Sequence, residues 1–263
     1  MKIYVMTDLE GISGVNSAEQ LVVDRPKYAE GRALLTREIN TVARILKEEG
    51  VDEVIFQDGH GSGLNVIWDR LSPDVDLCIT GSIKNRYFEK GIKDADGVIL
   101  LGYHAMAGTP DALLEHTMSS VRYQNIWLNG EKAGEVAIDA AILGDMDIPV
   151  IMVSGDDKVC LEAKKLLPWI ECACVKESMG LATTALLPPH KSDEVLRQAI
   201  HNAIARLSEM KLYKLSKPVK CKVEVTERQP IPRETNRVSI EYEDARTYTV
   251  TADTAFDAFY GTY

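Results

Sequence analysis

Two acidic residues close the first apolar run of the chain. The segment MTDLEGISG at residues 6–14 follows KIYV, and it places Asp8 and Glu10 two positions apart. Side chains two apart in an extended segment point to the same side, so the two carboxylates would be neighbours. Like charges held that close repel each other unless a cation or a shared proton lies between them. The pair therefore raises the question of a metal site.

Further side chains of the metal-binding type follow other predicted strands. His60 lies in DGHGSG after the run VDEVIFQ, and His104 lies in GYHAMAG after DGVILL. Glu135 stands at a predicted helix start, just after an Asn-Gly turn. Residues past the carboxyl ends of parallel strands share one edge of the sheet. Two imidazoles and three carboxylates exceed the need of one tetrahedral zinc and suit two divalent ions about 3.5–4 Å apart.

Each candidate also has a purely structural alternative. The acids at the first strand could begin a turn or cap the next segment. His60 could be an ordinary loop histidine, with Asp58 as the ligand in its place, and His104 could be a hydrogen-bonded core histidine. Glu135 could simply favour the dipole at the start of its helix. Their coincidence at one sheet edge favours the metal site over these separate explanations.

His116, in DALLEHTMSS, follows the long loop that begins after His104. It could be a surface-loop histidine, or it could line the pocket as an acid/base group or a stabiliser of a developing oxyanion. The nearby glycine-rich segments GHGSG and NGEKAGE have neither Walker A nor dinucleotide-binding spacing. The sequence therefore lends little support to nucleotide binding.

Composition excludes several classes of partner. The chain has 263 residues, 45% hydrophobic, with a formal charge of -10 and a pI of about 5.1. It has no basic tract for nucleic acid or an anionic membrane, and no signal-peptide or membrane-spanning pattern. The five cysteines lack the spacing of a disulfide framework or a zinc knuckle, so a reducing cytoplasm is the expected location. Cys172 and Cys174, on one face of a predicted strand, are expected to be buried packing residues.

Hydrophobic periodicity predicts alternating strands and helices over most of the chain. A helix within residues 26–50 has Leu35, Ile39, Val42 and Leu46 on one side. Strands are predicted at the start of the chain and in VDEVIFQDGH, VDLCIT, DGVILLGYH and IPVIMVSGDD, with short helices in NVIWDRL and at 85–91. This pattern is typical of an α/β fold with a mainly parallel sheet and helices on both faces.

The pattern changes near Pro188. An amphipathic helix at 192–210 is followed by VKCKVEVTE, RVSIEYE and RTYTVTA, which alternate as antiparallel strands do. We therefore predict a metal-binding catalytic α/β domain at 1–187 and a smaller α+β C-terminal domain at 188–263. The second domain is a candidate oligomerisation unit.

At these residues the sequence resembles the D-aminopeptidase family, the M55 metallopeptidases. The matching segments run in order through the first domain, while the C-terminal third matches more weakly. They are DLEGISG at 8–14, DGHGSG at 58–63, LLGYHAMAGTP at 100–110, EHTMS at 115–119, NGEKAGE at 129–135 and PVIMVSGDD at 149–157.

The resemblance implies a function and a set of roles. It implies that His116 is an additional active-site histidine, that the substrates are short peptides with N-terminal D-amino acids, and that the subunits assemble into a homo-oligomeric decamer. Mn²⁺ or Co²⁺ would also suit the mixed nitrogen and oxygen donors. The family pattern makes five residues ligands of two Zn²⁺ ions: Asp8, Glu10, His60, His104 and Glu135.

The expected reaction is aminopeptidase hydrolysis by metal-activated water, with His116 aiding the oxyanion or the leaving amine. Two other functions stay open. A dinuclear phosphoesterase would need added positive charge, for which Arg122 and Lys132 are available. A non-catalytic metal-binding protein would satisfy the metal entirely with protein ligands.

Overall fold

The computed structural model describes residues 1–81, 87, 90–227 and 232–263. These residues include two β-sheets and five α-helices. The strands are β1 (Lys2–Thr7), β2 (Glu53–Asp58), β3 (Leu77–Ile79), β4 (Gly97–Tyr103), β5 (Tyr123–Leu128), β6 (Glu131–Lys132), β7 (Val150–Asp156), β8 (Glu171–Ser178), β9 (Thr184–Leu186), β10 (Val219–Val225), β11 (Val238–Tyr242) and β12 (Thr247–Ala252). The helices are α1 (Tyr28–Glu48), α2 (Glu135–Asp145), α3 (Asp157–Leu166), α4 (Pro189–Ala205) and α5 (Ala255–Tyr260).

The first sheet has the strand order β3-β2-β1-β4-β7-β8-β9 and is parallel except for β9, which runs antiparallel to β8. Its central strand β4, GVILLGY, is buried along its whole length, as expected of a strand covered on both faces. The chain alternates sides along β1: Ile3 and Val5 pack with α1 and α4, whereas Tyr4 and Met6 belong to the core with α2 and α3. The predicted α/β class, with helices on both faces of a mainly parallel sheet, is confirmed.

Helix α1 shows how the sequence specifies this arrangement. Leu35, Ile39, Val42 and Leu46 are fully buried along one stripe of the helix, and they pack against the sheet. The helix ends before Gly50, whose φ of +82° a residue with a side chain rarely adopts. The predicted helix within 26–50 is confirmed.

The second sheet is antiparallel, with the order β11-β12-β10-β5-β6. Strands β10, β11 and β12 are the three predicted C-terminal strands, and β5 and β6 form a hairpin through Asn129 and Gly130, which both have positive φ. Strand β5 pairs directly with β10, so this sheet takes strands from both sides of residue 188. Helix α4 packs against β8 of the first sheet. The division into domains at residue 188 stays a prediction.

The described residues between β2 and β4 include one short strand and two 3-10 turns. The predicted strand VDLCIT is present as β3, and the predicted helix in NVIWDRL is a single 3-10 turn at Trp68–Arg70. The helix predicted at 85–91 falls largely on residues 82–86 and 88–89, which lie outside the described part of the chain. Among the described residues, no helix has the length and apolar character to cross a membrane.

Candidate metal centre

The carboxyl edge of the first sheet gathers the side chains that the sequence singled out. β1 leads into Asp8 and Glu10, β2 into His60, and β4 into His104. Glu135 is the first residue of α2 and faces the same place. Asp8, Glu10, His104 and Glu135 are buried, and His60 is half-buried. The parallel sheet thus brings residues that are more than a hundred positions apart into one cluster.

Contacts within the cluster are short. Nδ1 of His60 lies 3.0 Å from Asp8 Oδ1 and 3.0 Å from Glu10 Oε2. Nε2 of His104 lies 3.4 Å from Asp8 Oδ2 and 3.2 Å from Glu135 Oε1. The ring of His116 stacks on that of His104 at 4.0 Å, and its Nε2 lies 3.9 Å from Glu10 and 3.9 Å from Glu135. Six potential ligand groups therefore converge on one small volume.

Two buried atoms of this cluster, Oε2 of Glu10 and Nε2 of His104, make no well-aligned hydrogen bond among the described residues, although charged neighbours lie 3.0–3.4 Å away. Buried polar atoms are normally satisfied, and a group left without a partner indicates an ion or ligand. Asp8, Glu10 and His104 bring ligand atoms within 4.8 Å of one another, as do His104, His116 and Glu135. A set of imidazole nitrogens and carboxylate oxygens is the donor chemistry of zinc, so these residues fit that metal.

Backbone carbonyls orient all three histidine rings. The Nε2 of His60 lies 3.1 Å from the carbonyl of Leu21, and the Nδ1 of His104 lies 3.0 Å from that of Ala105. The Nδ1 of His116 lies 2.9 Å from the carbonyl of Leu114. A carbonyl only accepts, so each of these nitrogens carries the hydrogen, and the opposite nitrogen of a neutral ring offers its lone pair to the cluster.

Electrostatics in the cluster favour ion pairs in the absence of a metal. Burial lowers the pKa of His60, but the carboxylates of Glu10 and Asp8 outweigh it and raise that pKa well above its usual range. Burial likewise opposes the charged form of His104, and Glu135 and Asp8 raise its pKa well above the ordinary value. Glu10 and Glu135 have lowered pKa values because the histidines outweigh the effect of burial. The histidines and carboxylates therefore stabilise opposite charges in one another across the cluster.

Asp58, the alternative ligand, holds a loop in place. Its carboxylate accepts hydrogen bonds from the backbone N–H of Asn65 at 2.6 Å and of Val66 at 3.1 Å, and from the side-chain amide of Asn65 at 2.8 Å. The same amide donates to the carbonyl of His60 at 2.7 Å. Asp58 therefore positions the loop that carries His60, and the histidine is the group that reaches the cluster.

The loop that carries His116 has an unusual backbone. Leu114 and Met118, which flank His116, have φ values of +55° and +63°, a region that side chains rarely adopt. The N–H of Met118 donates to Glu135 Oε1 at 2.8 Å, so the loop is tied to the cluster. Backbone held in a sparsely populated region collects at functional sites. The stacking of His116 on His104 and the hydrogen bond from Met118 to Glu135 hold this loop against the cluster.

The sequence analysis did not indicate a role for Lys176. Its side chain supports residues 8–15, the segment after β1 that carries Asp8 and Glu10 and is called the first ligand segment below. This lysine of β8 is buried, and its Nζ donates to the carbonyls of Glu10 at 2.5 Å, Val15 at 2.7 Å and Ile12 at 3.0 Å. Burial lowers the pKa of Lys176 to about 8, against the opposing charges of nearby acids. The only signal in the sequence is a lysine inside an apolar strand.

Glu162 of α3 is a second residue that the sequence did not indicate. Its Oε2 accepts the N–H of Met106, two residues past His104, at 2.8 Å. Burial raises the pKa of Glu162 to about 7. A side chain at Gly134, next to Glu135, would collide with its other oxygen. Glu162 therefore packs between the His104 segment and the start of α2.

Similarity to known proteins extends over almost the whole chain. A family model for the M55 peptidases, described as D-aminopeptidase, matches residues 1–261. A D-aminopeptidase of Bacillus subtilis (strain 168) is 32% identical over 212 residues, which are 80% of this chain and 76% of that protein.

A solved structure is similar over almost the full length. It is the Zn-dependent D-aminopeptidase DppA from Bacillus subtilis, described as a self-compartmentalizing protease. The TM-score is 0.89 at 27% sequence identity, and the match covers 99% of this chain and 95% of that one.

Proposed function

This chain belongs to the M55 family of D-aminopeptidases and is an enzyme of the metallo-aminopeptidase class, and we propose that it uses two zinc ions to remove N-terminal D-amino acids from short peptides. The observation that carries the proposal is the convergence of three carboxylates and three histidines, in which buried atoms of Glu10 and His104 make no well-aligned hydrogen bond. Such a set offers more donors than one tetrahedral zinc accepts.

We assign five of the six residues to metal binding and reserve His116 for the reaction. Asp8, Glu10, His60, His104 and Glu135 would hold the ions, and Asp8 lies within 3.0 Å of His60 and 3.4 Å of His104. Mn²⁺ or Co²⁺ would fit the same donors. His116 lies farther from the carboxylates than the other two histidines do, which favours a role in proton transfer.

When bound, the metal pair supplies Lewis acidity and lowers the pKa of water at the site. The chain's own residues then handle the protons. With its Nδ1 hydrogen committed to the carbonyl of Leu114, His116 presents Nε2 toward the reacting groups. In the protonated form Nε2 can donate to the developing oxyanion or to the departing amine. The carbonyls of Leu21 and Ala105 keep the other two rings from rotating away from the centre.

Peptide substrates and a homo-oligomeric assembly are part of the same proposal. The similar solved structure is described as a self-compartmentalizing protease, which supports an assembly whose active sites face an enclosed space. Such an enclosure would admit short peptides and exclude folded proteins. We propose a decamer for this chain, as the family resemblance implies.

A dinuclear phosphoesterase is the weaker candidate. It would need cationic side chains at the metals to receive the phosphate charge. The guanidinium of Arg122 instead donates to the carbonyl of Thr262 and lies over the rings of Tyr123 and Tyr263. Lys132 is an exposed residue of the β5–β6 hairpin. A metal-binding protein without activity is the third candidate, and the same assay separates all three.

The test is hydrolysis of matched D-Ala and L-Ala p-nitroanilides by the zinc-loaded protein, with a chelated sample and a phosphate monoester as controls. We expect cleavage of the D substrate that chelation abolishes. Cleavage of the L substrate alone would retain the peptidase and refute the D preference. Hydrolysis of the phosphate ester alone would support the phosphoesterase, and zinc binding without any hydrolysis would support the binding protein.

A further inference from the structure

Helix α1 carries a buried acid among its core residues. Glu38 follows Leu35 by three positions and precedes Val42 by four, so it lies on the apolar side of the helix. It is 0% exposed. Glutamate is almost never fully buried unless it has a partner. Glu38 is not one of the six groups that converge on the metal centre, so its burial needs another explanation.

The partner of Glu38 is the backbone of the first ligand segment. Its Oε2 accepts a hydrogen bond from the N–H of Ser13 at 2.9 Å. Ser13 is itself buried. The N–H groups of Gly11, Ile12 and Val15 bond to backbone carbonyls instead. Because a buried N–H without an acceptor is costly, the Glu38 carboxyl group supplies an acceptor that the backbone does not provide for Ser13.

Glu38 and Lys176 hold the first ligand segment by opposite kinds of backbone group. Lys176 of β8 donates to three carbonyls of the segment, whereas Glu38 of α1 accepts one of its N–H groups. Residues 8–15 are neither helix nor strand, so no regular ladder satisfies their backbone. The two buried side chains, from two different elements, therefore hold the turn in which Asp8 and Glu10 lie.

Helix α1 packs closely against this turn. A Cβ at Gly14 would lie 3.1 and 3.2 Å from the two methyl carbons of Leu34, and Gly14 has a φ of +86°, which residues with a side chain rarely adopt. Leu34 and Glu38 are four positions apart and therefore lie on the same side of the helix. Close packing at Gly14 fixes the distance between the helix and the segment. A shorter side chain at position 38 would therefore not reach the N–H of Ser13.

We propose that Glu38 is a positioning residue for the metal ligands, which holds the segment carrying Asp8 and Glu10 through the N–H of Ser13 and thereby sets the zinc affinity. The inference rests on the proposed function, because it assigns Glu38 to the support of ligands of that metal site. Burial raises the pKa of the Glu38 carboxyl group. Both its ionised and its neutral form keep an oxygen that accepts the N–H, so the role does not depend on the charge.

Two substitutions separate the reach of this side chain from its charge. Glu38→Gln keeps an acceptor oxygen at the same place on the side chain and removes the charge, whereas Glu38→Asp keeps the charge and shortens the side chain by one methylene. Zinc affinity is measured by competition with a chromophoric chelator. We expect Glu38→Gln to stay within about threefold of the unmodified chain and Glu38→Asp to bind zinc about 10- to 100-fold more weakly. Equal affinity in all three proteins, or a loss in Glu38→Gln as large as that in Glu38→Asp, would overturn the proposal.

Hydrogen exchange of the metal-free protein gives a second measurement, which needs no zinc. The amide of Ser13 should exchange about tenfold faster or more in Glu38→Asp than in the unmodified chain, and unchanged protection would show that Glu38 does not hold the segment. An unmodified chain that binds no zinc would refute the proposed function. Zinc binding that Glu38→Asp leaves unchanged would overturn only the positioning role.

Asp145→Ala is the matched control. Asp145 is the last residue of α2, at the opposite end of that helix from Glu135, and its Oδ2 accepts the N–H of Ala255 in α5 at 2.8 Å. The substitution removes the same kind of carboxylate–backbone hydrogen bond between two elements, outside the first ligand segment. This variant should lower the urea midpoint and bind zinc as the unmodified chain does. Zinc binding as weak as that of Glu38→Asp would attribute the loss to general stability and overturn the proposal.

Discussion

Replacing Lys176 with methionine tests whether a buried lysine holds the first ligand segment in place. The side chains are similar in length, so methionine fills the space but cannot donate to the carbonyls of Glu10, Ile12 and Val15. Those carbonyls lie between β1 and α1. Among the described residues, no other lysine or arginine side chain donates a hydrogen bond to them. The substitution therefore removes one support without emptying the core.

The magnitude follows from two opposing contributions. A hydrogen bond to a charged group contributes about 1.5–3 kcal/mol, so three of them contribute about 5–9 kcal/mol. Burial of the ammonium offsets part of this. The shift of its pKa from 10.5 to about 8 corresponds to about 3 kcal/mol at pH 7, where the lysine is charged in both the folded and the unfolded state. The free energy of unfolding should fall by about 2–6 kcal/mol.

The substitution of Lys176 should also weaken zinc binding. Residues that orient metal ligands typically change metal affinity by about 10- to 100-fold when they are removed. We expect Lys176→Met to weaken zinc binding by that factor, measured by competition with a chromophoric chelator, and to lower the urea midpoint. Both measurements are made on metal-free protein and after loading with zinc.

Lys158→Met is the matched control for this variant. Lys158 also donates to a backbone carbonyl, that of Ser178 at 3.1 Å, but it is paired with Asp157 near the surface and touches no ligand segment. Lys158→Met should lower the free energy of unfolding by at most about 1 kcal/mol and leave the zinc affinity unchanged. If Lys176→Met keeps full zinc affinity and loses less than about 1 kcal/mol, the lysine does not position the ligands and the reasoning is wrong.

Three further substitutions probe the centre and its surroundings. His104→Ala removes the ring that contacts both Asp8 and Glu135, so zinc content by elemental analysis and turnover should both be lost, and retention of either would contradict its role as a ligand. His116→Ala should keep zinc and lower the rate by about 10²- to 10⁴-fold, whereas full activity would remove this histidine from the reaction. Gly11→Ala would place a Cβ 2.0 Å from the carbonyl oxygen of Tyr103, so the ligand segment must shift. That variant should lose zinc affinity and thermal stability together, and an unchanged Tm would show that the segment can adapt.

Much of the centre could be predicted from the sequence because it depends on local patterns. Apolar runs of strand length identify β1, β2 and β4, and parallel strands must end at a common edge. Asp8, Glu10, His60 and His104 each follow such a run, so their proximity follows from the sheet. Their role as ligands stays a prediction that zinc analysis can test.

Other features had no local signal. Asn65 decides whether Asp58 or His60 reaches the cluster, because its backbone N–H and its side-chain amide both donate hydrogen bonds to the Asp58 carboxylate. Strand β5 reads as part of the first domain, yet it pairs with β10 almost a hundred residues later. A local pattern shows that one face of a strand is buried but does not show which element buries it.

The sequence by itself determined where the main strands and the long helix α1 lie, which polar residues follow those strands, and which donor atoms these residues offer, because these features depend on periodicity and on residue type. Only the tertiary structure decided which nitrogen of each histidine faces the cluster, that Lys176 supports a segment 166 positions away, and that β5 pairs with β10. Those features arise from contacts between distant segments, and the energy of such contacts depends on geometry that no short stretch of sequence contains.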